Sequence, residues 1–271
     1  MFDNMILFIS CVSKYWSILM GCCLNLLIGV AQAENYLEQD RAMRFAVIYT
    51  EEPPYTYSNQ ISEYNGIVPK VVEALARELS FEVEFFPTSR KGLEASIIKG
   101  QADFSWLAPE WSQNTDTLIF SDPVLNHREF LYSLKPFYLS DKPVDWVRDK
   151  TICVHEDYTY PLLTPFFDEQ IAEAIQVSSQ VAITTLFLGQ KCDLLYINEL
   201  RANWIFKALS SGIEIHRSPQ PLKQTQQAFM FSKSWQNLMP KINQGIANII
   251  HSGELKEIVR VQTHLNLYTS E

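Results

Sequence analysis

Apolar positions along the chain alternate between short β-prone runs and longer stripes with the spacing of an amphipathic helix. The first run, Phe45–Tyr49, predicts a strand, and the stripe from Val68 to Leu79 predicts a helix that Pro69 can begin. Two more strands and a short helix follow in the same manner, at Phe81–Phe86, Phe104–Leu107 and Lys91–Lys99. Such strand–helix–strand units imply parallel neighbouring strands with right-handed crossovers.

The pattern repeats in the second half of the chain, after an extended segment at Glu129–Leu134. The predicted strands there are Thr151–Val154, Asp193–Ile197 and Ile213–Ile215, and the predicted helices are one that begins at Pro161, Val181–Leu188 and Glu199–Leu209. An extended stretch, Gln227–Phe231, precedes two final helices that include Ile242–Ile250 and Leu255–Val261. This order predicts an α/β fold of two lobes, joined by two hinge crossings and separated by a cleft.

Two similar turns mark corresponding positions in the two halves. Gly100-Gln-Ala-Asp103 and Gly189-Gln-Lys-Cys-Asp193 each precede a predicted strand. We therefore expect lobe 1 to comprise residues 34–133 and 227–271, and lobe 2 to comprise residues 134–226. The crossing into lobe 2 is placed in the passage that contains Pro136 and Pro143.

The first 33 residues differ from the rest of the chain. A nearly uncharged run, Tyr15–Val30, follows Lys14 and ends at Ala31-Gln32-Ala33, which is typical of a cleaved secretory signal peptide. The sequence therefore predicts an exported protein. Leu19-Met-Gly-Cys22 also resembles a lipoprotein cleavage box, so lipid attachment at Cys22 is the alternative.

Cys153 and Cys192 are the cysteines that remain after this cleavage. An exported location permits a disulfide between them. Both lie at predicted strand positions of lobe 2, however, and two buried thiols are the preferred interpretation.

The composition excludes several classes of function. Hydrophobic residues make up 47% of the chain and the formal net charge is −9, so a core is available and nucleic-acid binding is not expected. The chain has neither a glycine-rich phosphate loop nor a nucleophile elbow, and its five histidines lack metal-ligand spacing. We therefore expect no cofactor, no metal ion and no catalytic residues.

The loop after the first predicted strand is the first candidate for ligand binding. Ligands of open α/β sheets bind beyond the carboxyl ends of the strands, and Glu51, Glu52, Tyr55 and Tyr57 follow such an end. The alternative is that Pro53-Pro54 forms a rigid surface turn and that the tyrosines cap the core.

Five motifs carry a family resemblance. They are Pro53-Pro54-Tyr55, Gly66-Ile-Val, Gly100-x-x-Asp103, Phe120-Ser-Asp-Pro123 and Gly189…Asp193. In order and spacing, residues 44–261 resemble the bacterial extracellular solute-binding proteins of family 3, the receptors of amino-acid ABC importers. The resemblance implies a Venus-flytrap of the type II periplasmic-binding-protein fold, which closes by hinge motion. It also implies a periplasmic monomer that delivers a small-molecule solute to an inner-membrane ABC permease.

The resemblance locates the binding site and shows two departures from the family pattern. Relatives hold the ligand carboxylate with a threonine and an arginine shortly before the segment at Phe120, where this chain has no arginine. They hold the ligand ammonium with an aspartate, where this chain has Asn198, and a helix-start loop that helps hold the carboxylate corresponds to Thr159. The predicted ligand-binding residues are Glu51, Tyr55, Tyr57, Arg90, Trp106, Ala108, Glu110, Trp111, Thr159 and Asn198.

Acidic groups beside aromatic rings favour a cationic or amine solute, held partly by cation–π contacts of about 0.5–2 kcal/mol each. The predicted function is therefore non-catalytic capture of a small polar solute, amino-acid-like or amine. One alternative is a dehydratase of the cyclohexadienyl type, in which Glu110 or Glu199 is the acid and Arg90 binds the substrate carboxylate. The other alternative is a ligand-sensing module for a membrane partner.

Overall fold

The structure is a computed structural model, and it describes residues 42–49, 52–60, 63–138, 142–156, 158–209 and 212–264. The chain from Met43 onward forms one compact unit. The predicted signal peptide, its Cys22 and the candidate ligand residue Glu51 lie outside the described residues.

Strands and helices alternate through both halves of the described chain, as the sequence predicted. The strands are β1 (Met43–Ile48), β2 (Tyr57–Gln60), β3 (Glu63–Asn65), β4 (Val83–Thr88), β5 (Phe104–Leu107), β6 (Leu118–Phe120), β7 (Leu125–Ser133), β8 (Lys150–His155), β9 (Ala172–Val177), β10 (Leu194–Asn198), β11 (His216–Arg217) and β12 (Lys223–Ser232). The α-helices are α1 (Ile67–Leu79), α2 (Leu93–Ile98), α3 (Pro143–Val147), α4 (Thr164–Asp168), α5 (Gln180–Leu188), α6 (Glu199–Leu209), α7 (Met239–His251) and α8 (Glu254–His264). None of the helices in the described ranges is long and apolar enough to cross a membrane.

One mixed sheet runs through both lobes, in the order β4-β1-β5-β12-β7-β10-β8-β9, with β6 beside β12 and β11 beside β7. The pairs β1/β4, β1/β5, β8/β9 and β8/β10 are parallel, which confirms the predicted strand–helix–strand units. Strand β12 pairs antiparallel with β5 through Ala228–Phe231 and with β7 through Lys223–Gln227. The two halves of the sheet therefore share β12.

Strand β7 begins earlier than the sequence indicated, at Leu125 rather than Glu129. It pairs along its length with β12 and β10, and β11 pairs with its end. Apart from the shared strand β12, these partners lie in the second half of the sheet. We therefore propose that lobe 2 begins near Leu125, before the proline-containing passage, and ends near Gln227, where β12 changes its partner.

Strands β2, β3 and β6 and helix α3 were not predicted from the sequence. Two further differences have an identifiable cause. Strand β9 was not predicted because it is an edge strand of mixed polarity, and its hydrogen bonds to β8 determine its conformation. The strand predicted at Ile213–Ile215 does not form. Ile213 is exposed, and the short pairing with β7 begins only at His216.

The two similar turns have the same role in both lobes. Asp103 Oδ2 accepts a hydrogen bond from the Arg44 backbone N–H (2.8 Å), and the Asp103 N–H donates to the Arg44 carbonyl (2.8 Å). In lobe 2, Asp193 Oδ2 accepts from the Thr151 N–H (2.9 Å), and the Asp193 N–H donates to the Thr151 carbonyl (2.9 Å). Each aspartate therefore attaches the start of its own strand to the start of a parallel neighbour, β1 in lobe 1 and β8 in lobe 2.

Cys153 and Cys192 form a disulfide, with their Cα atoms 5.8 Å apart. The preferred interpretation of two buried thiols was therefore wrong. Both sulfurs lie in the lobe 2 core cluster that also contains Phe187 and Leu195. Sequence patterning predicted that both residues are buried, but it could not determine whether the fold brings β8 and the turn before β10 within bonding distance.

Gly66 joins the aromatic loop to helix α1. Its φ of 112° with ψ of −177° lies in a region that essentially only glycine occupies. A Cβ at this position would lie 2.5 Å from the Tyr55 carbonyl oxygen and 2.8 Å from that of Pro54. These same carbonyls accept the N–H groups of Ile67 and Val68, each at 2.9 Å. The first turn of α1 therefore fixes the loop through backbone hydrogen bonds.

We expect Gly66→Ala to destabilise the protein by about 2–3 kcal/mol, because the new side chain adds backbone strain and a clash with backbone carbonyls. The matched control is Gly100→Ala. Gly100 also has a positive φ, of 67°, but no atom lies within 4 Å of its Cβ position, and the expected loss is about 1 kcal/mol. Denaturant unfolding measures both values, and equal losses would contradict the assigned contact.

Candidate functional site

A cavity of about 430 Å³ lies between the two lobes, beyond the carboxyl ends of β1, β5 and β10. This volume is suitable for a small organic molecule. Side chains of both signs of charge line the cavity, together with several aromatic rings. The polar and aromatic lining residues are Phe45, Glu52, Tyr55, Thr56, Arg90, Ser105, Trp106, Glu110, Trp111, His127, Glu129, Tyr158, Thr159, Tyr160, Gln180, Tyr196, Asn198, Arg201, Lys223 and Gln227.

The loop at residues 52–56 supplies one wall of the cavity. The Glu52 N–H donates to the Thr56 carbonyl (2.7 Å), the Thr56 N–H donates back to the Glu52 carbonyl (3.1 Å), and a cis peptide bond joins Pro53 to Pro54. Tyr55 is 7% exposed and its ring faces lobe 2. The loop is therefore a wall of the cleft and not only a surface turn.

Tyr55 and Asn198 are in contact across the cleft. The Tyr55 hydroxyl donates to Asn198 Oδ1 at 2.6 Å. Burial raises the pKa of Tyr55 above its ordinary value, although the nearby charge of Arg201 and the bond to Asn198 act in the opposite direction. The phenol is therefore protonated at neutral pH and acts as the donor.

Asn198 is also the residue that begins helix α6. Its Oδ1 accepts the backbone N–H groups of Leu200 (3.0 Å) and Arg201 (3.2 Å), as an N-cap side chain does. Its Nδ2 donates to the Arg128 carbonyl (3.1 Å). Asn198 lines the cavity, but three donors within the chain already bind its side-chain oxygen.

Arg201 is a buried cation in the cavity wall, only 6% exposed. Its Nε donates to the Pro53 carbonyl at 3.1 Å, and its Nη2 lies 3.8 Å from Glu52 Oε2. The guanidinium lies 5.7 Å from the centroid of the Tyr55 ring. Arg201 of lobe 2 therefore contacts the aromatic loop of lobe 1 at several points.

A second cluster of polar side chains surrounds Glu129. Tyr196 donates its hydroxyl hydrogen to Glu129 Oε2 (2.9 Å), and His127 Nε2 lies 3.6 Å from Glu129 Oε1. His127 Nδ1 in turn lies 3.4 Å from the Tyr55 hydroxyl oxygen. Burial alone would raise the pKa of Glu129, but the neighbouring His127, the hydrogen bond from Tyr196 and the charge of Lys223 lower it below its ordinary value. Glu129 is therefore ionised at neutral pH.

Trp111 lies at the rim of the cavity between cations of both lobes. The guanidinium of Arg90 lies 5.5 Å from its ring centroid, and Nζ of Lys223 lies 5.4 Å from it. His127 makes an edge contact with the same ring, at 5.2 Å between centroids. Arg90 and Glu110 are exposed here, so the rim is the more hydrated part of the site.

Seven of the predicted ligand residues line the cavity: Tyr55, Arg90, Trp106, Glu110, Trp111, Thr159 and Asn198. Tyr57 and Ala108 do not. The Tyr57 hydroxyl donates to Gln262 Oε1 of α8 (3.0 Å), and Ala108 is fully buried where β5 ends. Glu51 lies outside the described residues. Whether the seven bind a solute stays a prediction.

Glu199, the acid proposed for the dehydratase alternative, is not among the residues that line the cavity. Its carboxylate forms ion pairs with Arg128 (2.6 Å) and with Arg217. Of the two acids proposed for the dehydratase alternative, Glu110 is therefore the one that lines the cavity.

Among the acidic and basic side chains of the cavity, sequence reasoning missed His127, Glu129, Arg201 and Lys223, and it also missed the phenols of Tyr158, Tyr160 and Tyr196. The sequence contains an indication for Arg201. A positive charge in the first turn of a helix is unfavourable beside the helix dipole, so an arginine at this position suggests a specific partner. His127, Glu129 and Lys223 lie on β7 and β12, of which the sequence predicted only the extended segments Glu129–Leu134 and Gln227–Phe231. Which of their side chains point into the cleft depends on strand register.

Comparison with known proteins identifies the class. A model of the bacterial extracellular solute-binding proteins, family 3, matches residues 45–261, and the chain belongs to this family. No curated protein sequence matches the chain significantly.

Solved structures show the same fold at low sequence identity. An ancestral cationic amino acid solute-binding protein, AncCDT-1, matches with a TM-score of 0.68 at 16% identity, covering 86% of this chain and 99% of that one. The substrate-binding protein AbpA of Streptococcus pneumoniae, bound to L-arginine, matches with a TM-score of 0.61 at 17% identity, covering 84% and 97%. The periplasmic VFT2 domain of BvgS from Bordetella pertussis matches with a TM-score of 0.62 at 17% identity, covering 86% and 97%. The fold is therefore the two-lobed Venus-flytrap.

The lowered pKa of Glu129 predicts a pH effect on stability. A carboxylate whose pKa is lower in the folded state stabilises the protein fully above its unfolded pKa, and this contribution is lost as the pH falls through the folded pKa. We expect the free energy of unfolding of Glu129→Gln to be about 1–3 kcal/mol lower than that of the wild type at pH 7. This difference between the two proteins should become smaller below about pH 4.5.

Urea unfolding of both proteins at several pH values between 3 and 7 measures this gap. The control is Glu173→Gln, which changes an exposed carboxylate outside the cavity and should show no pH-dependent gap. If the difference in unfolding free energy between Glu129→Gln and the wild type is the same at every pH, the lowered pKa of Glu129 is wrong.

Proposed function

We propose that this chain is a periplasmic solute-binding protein that captures a small polar solute between its lobes and presents it to an inner-membrane ABC permease, without catalysis. The observation that carries the proposal is the cavity of about 430 Å³ bounded by both lobes, where the Venus-flytrap fold closes on its ligand. Membership of a solute-binding family supports it.

The charges of the cavity favour an amino-acid-like solute over a simple cation. Trp111 is already contacted by Arg90 and Lys223, and Glu129 is hydrogen-bonded within the chain. Glu110 is the exposed acid at the same rim. An acidic group directed at Arg90 and Lys223, with an amine directed at Glu110, would match both signs of charge.

A thermal-shift screen of amino acids, polyamines and small carboxylates tests this proposal. A true solute at about 100 times its dissociation constant adds roughly 2.7 kcal/mol of stability, which gives a clear shift. We expect zwitterionic compounds to give the largest shifts. We also expect Arg90→Ala to reduce the affinity, measured by calorimetry, about tenfold, since it removes one charge-assisted contact.

Lys91→Ala is the matched control, because Lys91 is an exposed cation next to Arg90 that does not line the cavity. It should leave the affinity unchanged. Equal effects of the two variants, or shifts by polyamines alone, would contradict an amino-acid-like solute. The absence of any shift across the screen would count against solute capture itself.

Periplasmic location is part of the proposal and rests on the signal-peptide pattern of residues 1–33. We expect the protein recovered from the periplasm to begin at Glu34, as N-terminal sequencing or intact mass would show. Labelling with a radioactive fatty acid tests the alternative of a lipid on Cys22. A protein that retains its first 33 residues would contradict both forms of export.

A sensor module for a membrane partner is the second candidate. The observation that favours it is the direct contact between the lobes, since Tyr55 and Arg201 join them through groups of the chain itself. The similarity of the fold to the BvgS domain is compatible with this use.

A further inference from the structure

Three contacts join the lobes at the cavity, and each is made directly between groups of the chain. The Tyr55 hydroxyl of lobe 1 donates to Asn198 Oδ1 of lobe 2 at 2.6 Å. Arg201 of lobe 2 donates from Nε to the Pro53 carbonyl of lobe 1 at 3.1 Å, and its Nη2 lies 3.8 Å from Glu52. Tyr55, Asn198 and Arg201 are each less than 8% exposed.

Both sides of this contact are held in place by their own lobes. On lobe 1, the carbonyls of Pro54 and Tyr55 accept the first N–H groups of α1, which fixes the position of the tyrosine. On lobe 2, the N-cap bonds of Asn198 fix the side chain that Tyr55 contacts, and Arg201 lies in the same helical turn. The side chains on both lobes are therefore already held in the conformation in which they make contact, which lowers the entropic cost of the contact.

Opening of the hinge would break all three contacts together. In a hinged receptor, a bound solute ordinarily supplies the contacts that favour the closed form, because a ligand shifts the equilibrium toward the state that it binds better. In this chain, direct hydrogen bonds between buried groups of the two lobes supply contacts of the same kind.

We propose that Tyr55, Asn198 and Arg201 form a latch that holds the two lobes closed in the absence of solute. The latch would regulate access to the solute site, so its regulatory role rests on the proposed function. The closed form is then the resting state, and a solute enters when the latch opens transiently. Solute binding should therefore change the overall dimensions of the protein little.

Small-angle X-ray scattering of the solute-free protein tests the latch without any knowledge of the solute. Mass spectrometry of the denatured sample confirms that no small molecule was purified with the protein. We expect the wild-type radius of gyration to match that calculated for the closed structure. We expect Tyr55→Phe, which removes the hydroxyl and keeps the ring, to increase the radius measurably.

Tyr57→Phe is the matched control. Tyr57 lies two residues away and also donates a buried hydrogen bond, but its acceptor Gln262 belongs to α8 on the lobe 1 side of the chain. It should leave the radius at the wild-type value. Arg201→Lys is a second latch variant, which keeps the charge and loses the bond to Pro53, and it should also expand the protein. Circular dichroism separates opening from unfolding.

Two results would overturn the latch: a solute-free wild type with the dimensions of an open form, or latch variants that are folded and as compact as wild type. If Tyr55→Phe does not fold, the decision falls to Arg201→Lys and to the wild-type radius. A failed solute screen beside a compact wild type would remove the proposed function and leave the latch standing. A positive screen with an open wild type would do the reverse.

Discussion

Strand β12 is hydrogen-bonded to both lobes, and the position of the cavity depends on this shared strand. Its first half forms a ladder with β7, and its second half forms one with β5. One continuous backbone therefore takes part in the hydrogen-bond ladders of both lobes. This arrangement directs the carboxyl ends of β5 and β10 towards the same cavity. The lobes can rotate about this connection, but they cannot move apart.

Hydrogen bonding within the chain satisfies most of the polar groups at the centre of the cavity. Asn198 caps α6 and accepts the hydroxyl of Tyr55, and Glu129 accepts the hydroxyl of Tyr196. Buried polar groups without partners would cost several kcal/mol each, so such a network is a condition for a stable closed form. The exposed charges lie at the rim, around Trp111, and this is the part of the cavity where a solute can contribute most.

The sequence predicted the fold well where the pattern is local. Helix α1 begins one residue before its predicted start and ends at the predicted residue, because its apolar stripe and glycine are local signals. Strand β9 and the start of β7 were missed because neighbouring strands determine them. The site shows the same limit. Tyr55 and Tyr57 are equivalent as a pattern, yet one lies in the cavity and the other contacts α8.

The sequence by itself determined the class of fold, the two-lobed organisation and the loop that forms one wall of the cleft. These follow from hydrophobic periodicity and from glycines and aspartates at turns, which act over a few residues. Tertiary structure alone decided the disulfide between Cys153 and Cys192, the hydrogen bond from Tyr55 to Asn198, and the position of Arg201 in the cavity wall. Each of these contacts joins residues far apart in the chain, and its geometry depends on strand register and lobe closure, which spacing in the sequence does not specify.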